Sequence, residues 1–338
     1  KKDRCQFING NQRRDGRCLM LKTLFEVIKI RFYHLLTFLG LRHRYIWHNG
    51  SIKRWHRGIT HAMNPSLHYG IAAFEGIRFY QTERGSAIFR LKDHMDRFFY
   101  SMNVLGMPIA YDHEQLTQAI KELIVLNNMS EGYIRPIAWF SEQVVGLHNA
   151  GGTTSVQIAL FDWKKSNPDT LRVHISPFLR IHPKTTDVNA KISGHYINTH
   201  LALQHAGKNN FDDAILLDHN GNIAEASAAN IFCLHKGLLV TPMRGAILPG
   251  ITRTTVIQLP GCGGIRTIPC NISPAELLES EEVFLCGTAY EILPVSQIND
   301  VVIGNGAPGP VTKLLWKQYR KAVHGELPER QYWLTYIT

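Results

Sequence analysis

Lys191 stands in Ala190-Lys191-Ile192-Ser193-Gly194, a lysine among small residues beside a glycine. A planar group could crowd against such a segment. The amine could act as a nucleophile if burial or neighbours lowered its pKa. A solvated surface lysine is the commoner meaning of the same letters. Glu225, in Ala224-Glu225-Ala226-Ser227, follows a strand–turn–strand pattern and reads either as a solvated loop carboxylate or as an acid facing a ring-sized space. Pro249-Gly250-Ile251-Thr252 opens a helix whose free N–H groups and positive dipole end suit a dianion. Thr252 adds a hydroxyl there, or simply caps the helix. Arg90 ends a strand, where its guanidinium suits a phosphate or open solvent. Tyr133-Ile134-Arg135 lies on a strand, which puts Tyr133 and Arg135 on one face.

Such residues need rigid carriers. Tyr45–Asn49, a turn at Asn49-Gly50 and Ser51–Trp55 predict a β-hairpin. A short strand at Ala87–Arg90 precedes a helix at Leu91–Leu105 with Met95, Phe98, Phe99 and Met102 on one face, and a second helix at Glu114–Asn127. Strands at Tyr133–Phe140 and Ser155–Phe161 flank a glycine-rich loop, Val144–Thr154. Lys164–Asp169 is polar and carries a proline, as linkers do. Beyond it come a strand at Leu171–Ser176, a helix at Tyr196–Gly207, strands at Asp213–Asp218 and Asn230–Leu234 around an Asn220-Gly221 turn, and a helix at Thr252–Leu259. Strands and helices mix without strict alternation, so each half reads as α+β rather than as a doubly wound parallel sheet. The expected layout is an extension at 1–43, a small α/β domain at 44–163, a linker at 164–170 and a larger domain at 171–338.

The 338 residues suffice for two domains, and the 44% hydrophobic and 19% charged fractions suit a globular enzyme. The net charge of +10 is misleading. Residues 1–60 hold 14 Lys/Arg against 3 Asp/Glu, and the remainder holds 23 against 24. The body therefore lacks the basic excess of a nucleic-acid binder. The stretch Leu21–Leu41 is apolar and basic with a helical rhythm. It reads as a membrane-surface or targeting helix, or more plainly as a poorly ordered extension, with Met20 as an alternative start. Six cysteines, none at CxxC spacing, argue against a disulfide framework and against zinc, and for a reducing, cytoplasmic setting.

Several segments together resemble the class IV (fold-type IV) pyridoxal-phosphate aminotransferases, and within them the branched-chain group. They are HYGIAAFEGIRFYQT (68–82), IFRLKDHMDRF (88–98), AKISGHYINTHLA (190–202), EASAANIF (225–232), LPGITRTTVI (248–257) and EVFLCGTAYEILPV (282–295), with GPVTKLLWKQY and YWLTY near the end. The resemblance runs from about Tyr45 onward. It implies a two-domain α+β fold, a small domain beside a larger one with a barrel-like sheet. It also implies a Schiff base between pyridoxal 5′-phosphate and Lys191, with Glu225 on the pyridine nitrogen and Tyr196 on the phenolic oxygen. Arg90, Gly250, Ile251, Thr252 and Thr288 become phosphate contacts. Tyr133, Arg135 and the N–H groups of Ala289 and Tyr290 become carboxylate contacts, and Tyr69, Phe74, Trp139 and Leu147 the apolar lining. The counterpart of Tyr69 reaches across from a partner subunit, which implies a homodimer. The reaction implied is exchange of an amino group between Leu, Ile or Val and 2-oxoglutarate, with no metal. D-Amino-acid and (R)-amine aminotransferases and aminodeoxychorismate lyase would share Lys191, Glu225 and Arg90, whereas the Tyr133/Arg135 pair and Phe74–Arg78 match the branched-chain group. A non-catalytic binding protein on this fold would have lost the lysine or the phosphate donors. The chain departs from the pattern at Val144–His148, at Ala226–Ala229 and in a shortened 261–272 stretch.

Overall fold

The computed structural model describes residues 44–141, 147, 152–163, 169–259 and 266–337. The apolar segment Leu21–Leu41, most of the glycine-rich loop and most of the linker lie outside them. The first half runs β1 (Tyr45–His48), β2 (Ser51–Arg54), α1 (Pro65–Tyr69), β3 (Ala72–Phe74), β4 (Ile77–Thr82), β5 (Gly85–Phe89), α2 (Leu91–Val104), α3 (His113–Leu126), β6 (Gly132–Phe140) and β7 (Thr154–Phe161). The second runs β8 (Leu171–Ile175), α4 (Ile197–Lys208), β9 (Asp213–Leu217), β10 (Ile223–Ala226), β11 (Asn230–His235), β12 (Leu238–Pro242), α5 (Ile251–Gln258), β13 (Thr267–Cys270), α6 (Pro274–Leu278), β14 (Glu282–Gly287), β15 (Glu291–Ile298), β16 (Val301–Val302), α7 (Pro310–Val323) and β17 (Leu334–Tyr336). Among the described residues no helix is long and apolar enough to cross a membrane.

Local chemistry explains the boundaries. The β1–β2 turn takes positive φ at both Asn49 and Gly50, the conformation an Asn-Gly hairpin favours. Asp112 and Gln115 close a reciprocal capping box at the start of α3. Leu91, Met95, Phe98 and Met102, spaced by three and four, bury one side of α2.

The elements form two sheets. The first has eight strands in the order β17-β5-β4-β6-β7-β1-β2, with β3 added beside β6. Its pairings are antiparallel, and α2 and α3 bury their apolar faces among its Phe79, Ile88, Ile134 and Ile158. The second has nine strands, β10-β9-β8-β15-β14-β11-β12-β13 with β16 on β15, and mixes directions: β8 runs parallel to both β9 and β15. The sheets share a core. Tyr80 and Phe89 of the first pack in one cluster with Phe232 and Phe284 of the second and with Leu315 and Tyr319 of α7. The chain's end returns to the first sheet, where β17 pairs with β5.

A charged knot fastens the short link between β3 and β4. Glu75 is 0% exposed. Arg97 grips it through Nε (2.6 Å) and Nη2 (3.0 Å), and His94 Nδ1 lies 2.7 Å away. Burial alone would raise the Glu75 pKa, but the Arg97 guanidinium and His94 outweigh it and hold the carboxyl far below the usual range. Burial in turn lowers the pKa of His94.

Replacing Glu75 with glutamine leaves Arg97 buried without a counter-charge, and loss of one partner from such a pair costs about 3–5 kcal/mol. Denaturant unfolding of the variant should show that loss at pH 7. Because the folded pKa is depressed, the stabilisation is complete above the ordinary carboxylate range and fades only as the pH falls below it. A variant as stable as the parent at pH 7 would refute the assignment.

Candidate active site

The segment carrying Lys191 is laid across the end of β3. Lys191 O accepts from Phe74 N (3.1 Å), Ala73 and Ile192 form an isolated antiparallel bridge, and Gly194 N donates to Gly70 O (2.9 Å). From the other side, Lys191 N donates to Ser101 Oγ on α2 (2.8 Å). The backbone of the lysine is thus fixed by two elements of the first half. Its side chain enters a cavity of about 330 Å³. Within it Lys191 Nζ donates to Tyr196 Oη at 2.5 Å and lies 4.8 Å from the centre of the Phe74 ring.

One end of the cavity is acidic. Glu225, on β10, is 7% exposed and accepts from Arg180 Nε (2.5 Å), Asn230 Nδ2 (3.1 Å) and Leu248 N (3.1 Å). Burial raises its pKa, and Arg180 is the main influence pulling it back. A side chain at position 250 would destroy this arrangement, since a Cβ on Gly250 would sit 1.8 Å from Asn230 Oδ1.

The cavity is cationic where α5 begins. Gly250, Ile251 and Thr252 line it, and Arg97, donating through Nη1 to Pro249 O (3.0 Å), stands beside them. Thr288 and Ala289 line the wall opposite, at the end of β14. Tyr133 and Arg135 reach in together from β6, as their spacing requires. Gly76 makes room for Tyr133, whose hydroxyl would otherwise meet a Cβ at 1.8 Å. The Arg135 guanidinium lies 5.2 Å from the Phe74 ring centre and 5.3 Å from that of Tyr133, and its buried Nε has no hydrogen-bond partner among the described residues.

The structure therefore gathers Lys191, Tyr196, Glu225, Gly250, Ile251, Thr252, Thr288, Phe74, Tyr133, Arg135 and Ala289. Arg90 is not among them, and this corrects the reading of Arg90 as a phosphate contact. It sits at the β5–α2 junction with φ of 54°, and its guanidinium is taken up by Asp93 (2.7 and 2.9 Å), by Thr255 and Gln258, and by the face of Trp333. Arg97, two helical turns later, occupies the cavity instead. The available signal was its place on α2 between His94 and Ser101, at three- and four-residue spacing on the buried flank. Trp139 is buried outside the cavity, and Trp163 lines it in its stead, 4.9 Å from Tyr133. Tyr290 turns its hydroxyl to Asp213 (3.1 Å). Leu147 (63% exposed) and Tyr69 (41%) lie outside the cavity. Arg180 and Asn230 were not singled out from the sequence; Asn230 stands five residues from Glu225 in the same EASAANIF segment, whereas nothing local marks Arg180, which only the fold brings to Glu225. Among the described residues no cluster of His, Cys, Asp or Glu could hold a metal ion.

Comparison with known proteins gives one answer. Residues 72–298 match the family model described as amino-transferase class IV. The branched-chain-amino-acid aminotransferase of Pseudomonas aeruginosa is 36% identical over 297 residues, covering 86% of this chain and 97% of its own. That of Escherichia coli K12 is 34% identical over 300 residues, covering 87% and 97%. The solved branched-chain aminotransferase of the thermophilic archaeon Thermoproteus uzoniensis, with norvaline, superposes with a TM-score of 0.84 at 34% identity, covering 88% of this chain and 100% of that one. By the family match and by likeness along nearly the whole of these relatives, the chain belongs to the class IV amino-transferases, pyridoxal-phosphate enzymes of fold-type IV.

Proposed function

We propose that this protein moves the amino group of branched-chain L-amino acids (leucine, isoleucine and valine) to 2-oxoglutarate, in the cavity around Lys191. The observation that carries the proposal is the gathering of three charges in one cavity: the Lys191 amine, buried Glu225, and Arg97 beside the opening of α5. The donor set suits pyridoxal 5′-phosphate: a carboxylate for a ring N–H, an amine for an aldehyde, and a guanidinium with free helix N–H groups for a phosphate dianion. Two of the lining residues, Arg135 and Arg180, carry a buried donor, Nε and Nη1 respectively, with no hydrogen-bond partner among the described residues. The substrate class is supported by the relatives, which are named branched-chain-amino-acid aminotransferases.

Bound there, pyridoxal phosphate supplies a carbonyl that takes the amino group and a ring that accepts the electron pair left at Cα. The remaining work falls to the chain. Lys191 Nζ is the base that removes the Cα proton and later delivers it, and Tyr196 Oη steadies the amine at hydrogen-bond distance. Arg97, Gly250, Ile251 and Thr252 hold the phosphate, with Thr288 beside them. Glu225 keeps a negative charge opposite the ring nitrogen. Tyr133, Arg135 and the Ala289 segment receive substrate carboxylates, while Phe74 and Trp163 give an apolar wall for a branched side chain.

The proposal includes a homodimer. Leu67 and Tyr69 of α1 and Ile197 and Leu201 of α4 are exposed apolar residues on neighbouring segments joined by the Gly194–Gly70 hydrogen bond. A second subunit covering them would bring a tyrosine like Tyr69 to the cavity mouth. It also includes the division into a small domain (44–163), a linker (164–170) and a large domain (171–338), which the two sheets follow except that β17 returns to the first. A cytoplasmic setting is supported by the free thiols of Cys233, Cys270 and Cys286.

Lys191→Ala should abolish transamination without unfolding the protein, and Lys191→Arg should not restore it, because a guanidinium stays protonated. Circular dichroism with a leucine–oxoglutarate assay tests this, and near-parental turnover by either variant would end the proposal. A donor panel of L-Leu, L-Ile, L-Val, D-Ala and an (R)-amine should rank the three branched L-amino acids first. Faster turnover of D-alanine would move the enzyme to another branch of its class.

A further inference from the structure

We propose that Arg180 is a positioning residue that keeps Glu225 in its ionised form, and thereby governs how strongly Glu225 holds a proton donor facing it from the cavity. The inference rests on the reading of Glu225 as partner of the cofactor's ring nitrogen, and extends it to a residue that nothing in the local sequence marks.

The geometry is specific. Arg180 is 8% exposed, and its backbone N–H donates to Leu217 O at the end of β9 (2.8 Å). β9 pairs with β10, where Leu216 opposes Glu225. The arginine is therefore moored to the strand next to its partner. A carboxylate offers about four lone-pair positions. On Oε2, Asn230 Nδ2 and Leu248 N each donate at 3.1 Å. On Oε1, among the described residues, the donor is Arg180 Nε alone, at 2.5 Å. The open position is thus on Oε1, so a donor arriving from the cavity shares its oxygen with the guanidinium.

The consequence is electrostatic. Burial drives Glu225 towards the neutral acid. Asn230 and Leu248 offer hydrogen bonds without charge. The other cation acting on Glu225 is Lys191. His195, which lines the same cavity and feels Arg180, is shifted by burial and by that cation towards its neutral form. A full positive charge against Oε1 therefore falls to Arg180. When it is present, the proton shared between the ring nitrogen and Oε1 resides on the ring. Without it, the proton passes to Oε1, leaving a neutral acid and an uncharged ring that draws electrons less strongly.

The test uses the full-chain, cofactor-loaded enzyme with Arg180→Met, Arg180→Gln (hydrogen bonding without charge) and Arg180→Lys (charge kept), each with and without Glu225→Gln. Infrared difference spectra against the Glu225→Gln counterpart read the state of Glu225, and nitrogen NMR of labelled cofactor reads the ring. In the parent and in Arg180→Lys, Glu225 should appear as carboxylate and the ring nitrogen as protonated. In Arg180→Met and Arg180→Gln, a carboxylic-acid carbonyl band should appear and the ring signal should shift to the deprotonated form. Leucine kcat should fall about 10²-fold in these two, the scale of a lost electrostatic stabiliser, with KM little changed. In the Glu225→Gln background the Arg180 variants should cause no further loss, since the effect passes through that carboxylate. A carboxylate band retained in Arg180→Gln would overturn the proposal, as would losses that multiply in the double variants. If Glu225→Gln alone leaves kcat unchanged, the reading of Glu225 fails, while the infrared result still decides what Arg180 does to it. Should Arg180→Met not fold, the glutamine and lysine variants carry the same decision.

Discussion

Glu225 is an acid taken almost wholly out of water, and satisfying its two oxygens there shapes the second half of the molecule. Its two oxygens draw in an arginine from the segment after β8, an asparagine from β11 and a backbone N–H from the segment before α5. Each of these restricts something else. Asn230 also donates to Leu248 O, so the strand and the approach to α5 are tied to one amide. Gly250 must lack a side chain for that amide to fit. The opening of α5, which would receive the phosphate, is thus located by the same network that holds the carboxylate.

At the other end, Glu75 plays a complementary part. Its charge is balanced by Arg97, whose third donor reaches Pro249 O, one residue before Gly250. The two buried acids therefore meet, through intermediaries, at the start of one helix. Glu75 lies in the first half and Glu225 in the second, so the cavity is also where the halves are fastened to each other. The Lys191 segment completes the joint, since its backbone bonds to β3 and to α2 while its side chain faces groups from the second sheet.

A third buried pair supports the opposite wall. Arg78 on β4 donates to Glu291 at 2.7 Å, and Glu291 takes a φ of 58° directly after the Thr288–Tyr290 turn. A residue without glycine's freedom keeps this conformation only when its surroundings over-determine it. Here the ion pair and the apolar cluster of Tyr80, Phe284 and Tyr319 supply that constraint. Buried charge pairs thus recur around the cavity, one within each half and one, Arg78–Glu291, between them, and shared hydrophobic packing joins the two sheets.

Much of this was legible in the letters. Local rules placed the β1–β2 hairpin, the α2 and α3 helices, the β6–β7 pair and the opening of α5, because turn residues, caps and apolar spacing act within a few residues. The chemistry of Lys191, Glu225, Tyr133 and Arg135 could be read from residue type and motif, and Tyr133 and Arg135 could be put on one face by strand geometry alone. The choice between Arg90 and Arg97 could not be made that way. Arg90 stands just before the helix and Arg97 two turns into it, and the guanidinium of either could meet a phosphate. Asp93, Thr255, Gln258 and the Trp333 ring, the last three contributed from remote parts of the chain, hold Arg90 back, while Glu75, buried across from α2, draws Arg97 into the cavity. Arg180 is the stronger case, because it stands 45 residues from Glu225 and meets it only once β8, β9 and β10 lie side by side. Sequence determines which groups are able to do the chemistry, since that depends on covalent structure and near neighbours. Which of several equivalent cations faces a given acid is decided by the tertiary fold, because a buried charge is satisfied by whatever the packed elements bring within hydrogen-bond distance.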